Sequence, residues 1–335
     1  MKVLVTGVAG FIGNAVALRL LERGDAVVGV DNLNDYYDVS LKEARLKRLD
    51  PFQNFTFLRG SIAERVFMED AFTLSKPKRV VHLAAQAGVR YSLVNPQAYV
   101  SANLIGFANV LECCRRFNID HLVYASSSSV YGANTTVPFS VDQNVDHPVS
   151  FYAATKRSNE LMAHTYAHLF GLPATGLRFF TVYGPWGRPD MALSLFTRKI
   201  LAGEAIEVFH HGNHRRDFTY IDDIVDGVVL TMDHVAQPNQ RWESDNPDPA
   251  TSAAPWRIYN IGSNNPINLL RYIEIIEDAL GVKAKKEFLP IQPGDVPETF
   301  ANVDSLIADV SYAPATAVET GVRRFIEWYR SFYDV

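Results

Sequence analysis

Apolar and polar positions alternate in a regular way along the first half of the chain. Short runs of β-branched and aliphatic residues predict buried strands, and the longer segments between them carry apolar residues at helical spacing. The predicted strands are Lys2–Thr6, Ala26–Val30, Phe55–Arg59, Arg79–Leu83, His121–Ala125 and Thr175–Phe179. The predicted helices are Gly13–Arg23, Leu41–Leu49, Glu64–Ser75, Pro96–Phe117 and Tyr152–Phe170. This repeated order indicates a parallel sheet wrapped by helices.

The pattern changes after about residue 181. Pro and Gly become frequent, and residues 238–255 form a polar stretch rich in Pro, Asp and Ser. Further helices are predicted at Ala192–Ala202, Asp222–Val235, Leu269–Leu280 and Thr316–Tyr333. We therefore expect an α/β protein with a doubly wound parallel sheet in residues 1–180, to which segments near 217–235 and 258–262 return. Residues 181–335 are expected to form a smaller, discontinuous substrate-binding domain of α/β type.

Composition and charge exclude several classes of protein. The chain has a formal net charge of -5 and a pI near 6.0 without a basic tract, which argues against a nucleic-acid partner. No apolar run reaches the ~18 residues of a membrane span, and Met1 leads directly into a predicted strand rather than a signal peptide. Cys113 and Cys114 are the only cysteines, and a disulfide between neighbours would be strained. We expect a reduced, cytoplasmic protein.

Three glycines connect the first predicted strand to the first predicted helix, at the spacing Gly7-x-x-Gly10-x-x-Gly13. Glycine lets the backbone turn tightly and approach a pyrophosphate, which then lies at the positive end of the helix. Asp31 ends the second strand, where a carboxylate accepts hydrogen bonds from an adenine ribose and repels a 2′-phosphate. The spacing differs from the commonest dinucleotide fingerprint, and a structural turn is the alternative. Together these features predict a Rossmann-like domain that binds NAD rather than NADP.

Tyr152 and Lys156 lie four residues apart in a predicted helix, so their side chains share one face. A tyrosine hydroxyl titrates near ~10, which makes it a poor base at neutral pH. We expect the Lys156 ammonium to favour the phenolate and to lower the pKa of Tyr152. Such a pair suits proton transfer to and from an alcohol whose carbon exchanges a hydride. The spacing alone is weak evidence, because an exposed helical face can also carry it.

A run of serines, from Ser126 to Ser129, follows another predicted strand. The carboxyl ends of parallel strands meet at one edge of the sheet, so we expect these hydroxyls to face the same crevice as the glycine loop. An isolated serine run could equally be a polar loop. Beside Tyr152 and Lys156, the serines become candidate hydrogen-bond donors for a sugar hydroxyl or a carboxylate.

The order of these motifs resembles that of the extended short-chain dehydrogenase/reductase family over essentially the whole chain. The glycine loop is followed by His82-Leu83-Ala84-Ala85, the serine run and Tyr-x-x-x-Lys. Within that family the sequence is most similar to the UDP-glucuronate 4-epimerases. The stretches that carry this similarity are Asp31–Asp38, Gln86–Ser92, Arg178–Ala192, Arg216–Asp223 and Gln292–Thr299.

The resemblance implies a set of site residues. Those implied for catalysis are Ser127, Tyr152 and Lys156. Those implied for NAD binding are Gly7, Gly10, Phe11, Ile12, Gly13, Asp31, Asn32, Ser61, Ile62, Leu83, Ala84, Ala85, Asn103, Tyr152 and Lys156. Those implied for UDP-sugar binding are Gly88, Arg90, Ser128, Ser129, Thr181, Arg188, Arg216 and Asp295. Of these, Arg216 and Asp295 would hold the UDP pyrophosphate and ribose.

The resemblance also implies a reaction, the interconversion of UDP-glucuronate and UDP-galacturonate through a transient 4-keto sugar. Tyr152 would act as the base with Lys156 and Ser127 assisting, and tightly bound NAD would be regenerated in each cycle. The 4-keto uronate is a β-keto acid that loses CO₂ readily, so the protein must hold its carboxylate out of line with the ketone. The hydroxyls of Ser128, Ser129 and Thr181 and the guanidinium of Arg188 are candidates for this, because arginine suits a planar carboxylate.

Related enzymes supply the alternatives. Sugar-nucleotide dehydratases carry an Asp-Glu pair, and UDP-glucuronate decarboxylases tend to carry a glutamate, where this chain has Ser128 and Ser129. UDP-glucose 4-epimerases usually carry Asn at the position of Thr181 and lack the Gly-Arg-Pro-Asp-Met-Ala sequence, and they are the main alternative. A non-catalytic NAD-binding scaffold would be favoured by loss of Tyr152 or Lys156, and both are present.

Two features of the sequence depart from the family pattern. Ser61 stands where the family usually has an acidic residue that meets the adenine. The sequence His210-His211-Gly212-Asn213-His214 lacks a carboxylate or cysteine in a metal-binding pattern, so we expect a surface loop and no metal. The resemblance further implies a homodimer that pairs the helices Pro96–Phe117 and Tyr152–Phe170 in a four-helix bundle.

Overall fold

The computed structural model describes residues 1–291 and 298–335. The strands within this part are β1 (Lys2–Thr6), β2 (Ala26–Asp31), β3 (Phe55–Arg59), β4 (Arg79–His82), β5 (His121–Ser127), β6 (Ala174–Phe179), β7 (Thr181–Tyr183), β8 (Ala205–Val208), β9 (Arg215–Tyr220), β10 (Trp256–Ile261), β11 (Pro266–Asn268), β12 (Lys285–Phe288) and β13 (Glu298–Thr299). The α-helices are α1 (Phe11–Glu22), α2 (Val39–Lys47), α3 (Arg65–Ser75), α4 (Tyr91–Val94), α5 (Pro96–Tyr99), α6 (Gly106–Arg116), α7 (Phe151–Phe170), α8 (Ala192–Leu201), α9 (Ile221–Asp233), α10 (Leu269–Leu280), α11 (Asp304–Val310) and α12 (Val318–Tyr333).

A seven-stranded parallel sheet forms the centre of the molecule, in the order β10-β6-β5-β4-β1-β2-β3. Helices α1 and α9 cover one face, and α3, α6 and α7 cover the other. Strands covered on both faces need apolar residues throughout, which explains the uninterrupted apolar runs in the sequence. The predicted α/β fold with a doubly wound parallel sheet is confirmed.

The order of strands in the sheet changes direction at β1. Strands β2 and β3 follow on one side of β1, and β4 and the later strands follow on the other. Loops that leave the carboxyl ends of these strands diverge and open a crevice between them. The glycine loop follows β1, Asp31 ends β2, and the serine run ends β5. The topology therefore brings three of the sequence motifs to one edge of the sheet.

Smaller elements lie beyond this edge. Strand β9 pairs with β7 and β13 in parallel and with β11 antiparallel, while β8 pairs with β12. Helices α8, α10 and α12 pack beside them. Strand β10 returns to the large sheet beside β6. The division into a cofactor domain and a sugar domain stays a prediction.

The predicted helix Pro96–Phe117 is interrupted in the structure. It consists of α5, a π-helical segment Val100–Ile105, and α6. A π-helical turn carries an extra residue, so it re-aims the side chains within it. Helix α11 was not predicted from the sequence. No helix in residues 1–291 and 298–335 is both long and apolar enough to cross a membrane.

Candidate active site

A cavity of about 970 Å³ opens at the carboxyl edge of the large sheet. It is lined by nearly all of the residues that the sequence analysis selected. Those that would contact the cofactor are Gly7, Gly10, Phe11, Ile12, Gly13, Asp31, Asn32, Ser61, Ile62, Leu83, Ala84, Ala85, Tyr152 and Lys156. Those for the sugar nucleotide or catalysis are Gly88, Arg90, Ser127, Ser128, Ser129, Thr181, Arg188 and Arg216. Asp295 lies outside the described residues.

The glycine loop is packed too closely for side chains. Gly7 has a φ of +76°, and a Cβ there would lie 2.7 Å from the backbone nitrogen of Ala84. A Cβ on Gly13 would lie 2.1 Å from the carbonyl oxygen of Gly7. Gly10 is the N-cap of α1, so no side chain caps the first amides of that helix. The loop thus presents bare backbone and the positive end of a helix to the cavity, an arrangement suited to a pyrophosphate.

The carboxylate of Asp31 is held in place by backbone amides. Its Oδ2 accepts a hydrogen bond from Ala9 N at 3.1 Å, and its Oδ1 accepts one from Leu33 N at 2.9 Å. Each oxygen keeps a lone pair for a further donor. A carboxylate held in this way suits the hydroxyls of an adenine ribose, and this contact stays a prediction. The Ser61 hydroxyl, which also lines the cavity, accepts a hydrogen bond from Ala63 N at 3.2 Å.

Helix α7 presents Tyr152 and Lys156 to the cavity. Ser150 caps the helix by accepting a hydrogen bond from Ala153 N at 3.1 Å, which places Tyr152 in its first turn. Lys156 is buried, and its Nζ donates to the carbonyl oxygen of Ala125 at 2.9 Å. Burial lowers the pKa of Lys156 to about 8, against the opposing effect of the Glu160 carboxylate.

The expected effect of Lys156 on Tyr152 needs correction. Burial raises the pKa of Tyr152, and the groups that act in the opposite direction are the Ser127 hydroxyl, by hydrogen bonding, and the Arg188 guanidinium, by its charge. The Lys156 ammonium is turned to the carbonyl of Ala125. The charge that opposes the rise in the pKa of Tyr152 is that of Arg188.

The serine run divides between the cavity and the protein interior. Ser126 donates to Glu160 Oε1 at 2.6 Å, while Ser127 Oγ accepts from Ser129 N at 3.1 Å and caps the 3-10 turn Ser128–Tyr131. Successive strand residues face opposite sides, which explains the division. Only the last three hydroxyls of the run are therefore candidates for substrate contact.

The sequence analysis missed a buried ion pair between Arg178 and Glu160, one helical turn after Lys156. Arg178 on β6 donates from Nε to Glu160 Oε1 at 2.9 Å and from Nη2 to Oε2 at 3.0 Å. Its Nη1 donates to the Tyr131 hydroxyl at 3.1 Å. The acidic residue one helical turn after Lys156 was the available signal, but nothing local indicated Arg178 as its partner.

Arg188 lies close to Asp190 at the mouth of the cavity. Its Nε and Nη2 donate to the two carboxylate oxygens at 3.0 and 2.5 Å. The hydroxyl of Tyr36 donates to the same carboxylate at 3.2 Å. Asp190 and Tyr36 belong to stretches that resemble the family, but the sequence analysis predicted no role for either residue.

Arg45 is another residue that the sequence analysis missed. It is fully buried, and burial lowers its pKa. Its Nη1 donates to Ala9 O at 3.1 Å and to the Tyr37 hydroxyl at 2.7 Å, and its Nη2 donates to Trp186 O at 2.6 Å. This guanidinium therefore joins the glycine loop to the loop that carries Arg188.

The structure places Asn103 behind the wall of the cavity, which corrects the contact with NAD that the resemblance implied. It lies in the π-helical segment and is buried. Its Nδ2 donates to Gln86 O and to Thr155 Oγ1, both at 3.0 Å, and its Oδ1 accepts from Gln86 N at 2.8 Å. Because its amide is engaged in this way, Asn103 fastens the loop after β4 to α7.

Two remaining candidates line other parts of the wall. Arg216 lies on β9, and Arg90 places its guanidinium carbon 5.6 Å from the centre of the Phe209 ring. The histidine-rich stretch contains a short 3-10 turn, Phe209–Gly212. Within residues 1–291 and 298–335, no group of three His, Cys, Asp or Glu side chains is arranged to hold a metal ion.

Comparisons with known proteins agree with this geometry. Residues 3–262 match the model of the NAD dependent epimerase/dehydratase family. The chain is 47% identical to a probable UDP-glucuronate 4-epimerase of Rhizobium meliloti (strain 1021), over 99% of this chain and 98% of that protein. It is 55% identical to Protein CapI of Staphylococcus aureus, over 99% of both chains. A crystal structure of UDP-glucuronic acid 4-epimerase from Bacillus cereus with UDP-glucuronic acid and NAD superposes with a TM-score of 0.86 at 31% identity, over 99% of this chain and 100% of that one.

Proposed function

Because the chain belongs to the NAD dependent epimerase/dehydratase family, we propose that it is an NAD-dependent enzyme that interconverts UDP-glucuronate and UDP-galacturonate. One observation carries this function beyond the family. The guanidinium of Arg188 shares the cavity of Tyr152 with the hydroxyls of Ser128 and Ser129. As noted in the sequence analysis, related dehydratases and decarboxylases carry carboxylates at the positions of these two serines. That donor set suits a substrate carboxylate and offers no general base for elimination.

The glycine loop and Asp31 would hold NAD in the cavity. Bound NAD would supply an acceptor for the hydride of C4 of the sugar. Bare backbone at Gly7 and Gly13 allows close approach of the pyrophosphate, and Asp31 would receive the adenine-ribose hydroxyls. Because the same cofactor is restored in each cycle, tight retention is expected.

Tyr152 would take the proton from the 4-hydroxyl as that carbon is oxidised, and would return it when the ketone is reduced on its other face. Ser127 would donate a hydrogen bond to the reacting oxygen, since its hydroxyl already acts on Tyr152. The charge of Arg188 favours the phenolate, and Lys156 would bind the nicotinamide ribose. The sugar must turn between the two steps, which calls for a firm hold on UDP and a looser hold on the hexose.

Arg188, Ser128, Ser129 and Thr181 would together hold the uronate carboxylate. A 4-keto uronate loses CO₂ when the breaking bond lies parallel to the carbonyl π system, so a fixed carboxylate suppresses decarboxylation. UDP-glucose 4-epimerisation remains the second candidate, because solved UDP-glucose 4-epimerases also resemble this chain, one from Thermotoga maritima with a TM-score of 0.85 at 29% identity. A neutral sugar would leave Arg188 without a substrate partner.

The sugar nucleotide would lie between residues of the large sheet and the smaller elements. We propose that residues 1–180 hold NAD and that parts of 181–335 hold UDP, with Arg216 on β9 contacting the pyrophosphate and Asp295 the ribose. Arg216 lines the same cavity as Tyr152. Free, buried cysteines fit a reduced compartment, and we assign the activity to the cytoplasm.

We also propose that two copies pair through α7 and the helical segment that ends in α6. The large apolar side chains Ile105, Leu161 and Leu169 are exposed along these elements. A paired surface would cover them. Light scattering should report a dimer for the wild type and a monomer for Leu161→Glu, whereas Val282→Glu, at another exposed site, should remain dimeric. A wild type that is monomeric at micromolar concentration would refute the dimer.

The proposed activity can be tested by product identification. Purified protein is incubated with UDP-glucuronate, and the sugars are resolved by anion exchange and proton NMR. We expect UDP-galacturonate, and at least ~10³-fold slower formation with Tyr152→Phe, which retains NAD but lacks the base. UDP-pentose as the main product would favour decarboxylation, and turnover of UDP-glucose alone would favour the second candidate.

A further inference from the structure

The ion pair between Arg188 and Asp190 occupies one edge of the guanidinium. It uses Nε and Nη2, at 3.0 and 2.5 Å, and leaves Nη1 outside the pair. An arginine has five N–H donors in a planar fork, so a carboxylate on one edge leaves donors for a second carboxylate. The side chains are 21% and 34% exposed, which places the pair at the boundary between cavity and solvent.

Asp190 is itself held from the opposite side by Tyr36. The Tyr36 hydroxyl donates to Oδ2 at 3.2 Å, and its ring lies 4.9 Å from the ring of Tyr91. A Cβ on Gly88 would lie 2.7 Å from the Tyr36 hydroxyl oxygen, so the tyrosine fills the space beside that glycine. Asp190 is therefore fixed between Arg188 and an aromatic group anchored on the cavity wall.

The charges of the pair are maintained at neutral pH. Burial raises the pKa of Asp190, but the hydrogen bonds and the charge of Arg188 outweigh burial and lower it overall. Arg188, Asp190 and Tyr152 line the same cavity, and the charge of Arg188 opposes the rise in the pKa of Tyr152 that burial causes. Asp190 therefore remains an anion that orients a cation toward the reacting sugar.

We propose that Asp190 is a positioning residue that, together with Tyr36, presents the unused edge of Arg188 to the carboxylate of a UDP-uronate. This proposal rests on the proposed function. Asp190 does not contact the substrate in this arrangement. It restricts the rotamers of Arg188 before binding, so less side-chain entropy is lost when the substrate carboxylate arrives. The preference for a uronate over a neutral hexose should therefore depend on Asp190.

The variant Asp190→Asn tests this role, because asparagine keeps the size of the side chain and removes its charge. A matched control is Asp309→Asn. Asp309 accepts from Arg257 Nη2 at 3.1 Å and from the Tyr259 hydroxyl at 2.6 Å, so it belongs to a similar Arg-Asp-Tyr group. That group does not line the cavity. Both variants and the wild type are studied with NAD bound.

Calorimetry with UDP-glucuronate and UDP-glucose gives the decisive comparison. For Asp190→Asn we expect the Kd of UDP-glucuronate to rise ~10-fold, the effect of weakening one charge-assisted contact. The Kd of UDP-glucose should stay within ~2-fold, because its hexose carries no charge for Arg188 to bind. Tyr36→Phe should show a smaller rise for UDP-glucuronate, and Asp309→Asn should bind both nucleotides like the wild type.

Three results with Asp190→Asn would overturn the proposal. An unchanged Kd for UDP-glucuronate would show that Arg188 needs no support, and a lower Kd would show that Asp190 competes with the substrate. Equal weakening for both nucleotides would show a general structural role. The proposed function is tested separately by turnover: wild-type protein that binds UDP-glucuronate without converting it would refute the function, while the Kd comparison would still decide the role of Asp190. Absence of binding by the wild type would overturn both.

Discussion

Replacement of Glu160 by glutamine would remove one charge from the buried ion pair with Arg178 while keeping the shape of the side chain. Glu160 and Arg178 are 0% and 1% exposed, so neither charge is screened by solvent. Two hydrogen bonds of 2.9 and 3.0 Å join them, and Ser126 adds a third to Glu160 at 2.6 Å. The variant leaves the guanidinium of Arg178 buried without a carboxylate.

The loss of one partner from a buried pair typically costs about 3–5 kcal/mol, and glutamine retains one acceptor, so we expect about 3 kcal/mol. In a chain of this size that corresponds to a fall in Tm on the order of 5 °C. The double variant Glu160→Met/Arg178→Met removes both charges and should recover most of this loss. Glu112→Gln is the control, because Glu112 pairs with Arg115 and Arg116 at the surface and should change stability little.

The same substitution should alter the pH dependence of turnover. The Glu160 carboxylate raises the pKa of Lys156, while burial lowers it to about 8. Without that carboxylate the pKa of Lys156 falls further, so the ammonium is lost at a lower pH than in the wild type. Because the ammonium is proposed to bind the nicotinamide ribose, the alkaline limb of kcat should shift to lower pH.

Differential scanning calorimetry and a pH profile of kcat with UDP-glucuronate measure the two effects. An unchanged Tm for Glu160→Gln, or a double variant less stable than the single one, would refute the energetic reasoning. An alkaline limb that stays in place or moves to higher pH would refute the electrostatic link to Lys156.

Other substitutions test separate parts of the site. Gly13→Ala would place a Cβ 2.1 Å from Gly7 O, so the purified protein should contain less NAD when it is analysed by HPLC. Gly281→Ala strains the backbone at a φ of +72° outside the cavity, so this variant should retain NAD. Arg188→Ala should raise the KM for UDP-glucuronate at least ~10-fold or release UDP-pentose, and a normal KM without pentose would contradict the carboxylate assignment. Arg45→Met, which separates the glycine loop from the Arg188 loop, should lower bound NAD and raise the same KM together, and a change in only one would contradict the joint role.

Local sequence patterns predicted the sheet, the glycine loop, the serine run and the Tyr-x-x-x-Lys helix because those features depend on neighbouring residues. The other residues that line the cavity were implied by the family resemblance. The glycine spacing, the acidic residue at a strand end and the Tyr-x-x-x-Lys motif each predict the local structure of the segment that contains them. Their meeting at one edge follows from parallel topology alone. The order of strands was therefore enough to bring Gly7, Asp31 and Tyr152 together.

The interactions that orient the site could not be predicted in this way. Arg45 reaches Trp186 across 141 residues, and Tyr36 reaches Asp190 across 154. The direction of the Lys156 ammonium, toward the carbonyl of Ala125, depends on packing between a helix and a strand. Such contacts depend on tertiary packing, which the spacing of one segment does not encode.

Isotope retention at C4 tests the central claim most directly. UDP-glucuronate labelled with deuterium at C4 is incubated with the wild type in ordinary water, and the UDP-galacturonate formed is analysed by mass spectrometry and NMR. If the hydrogen leaves as hydride and returns from the same cofactor, the product carries deuterium at an inverted C4. Loss of the label to water, or no inversion at C4, would contradict the account.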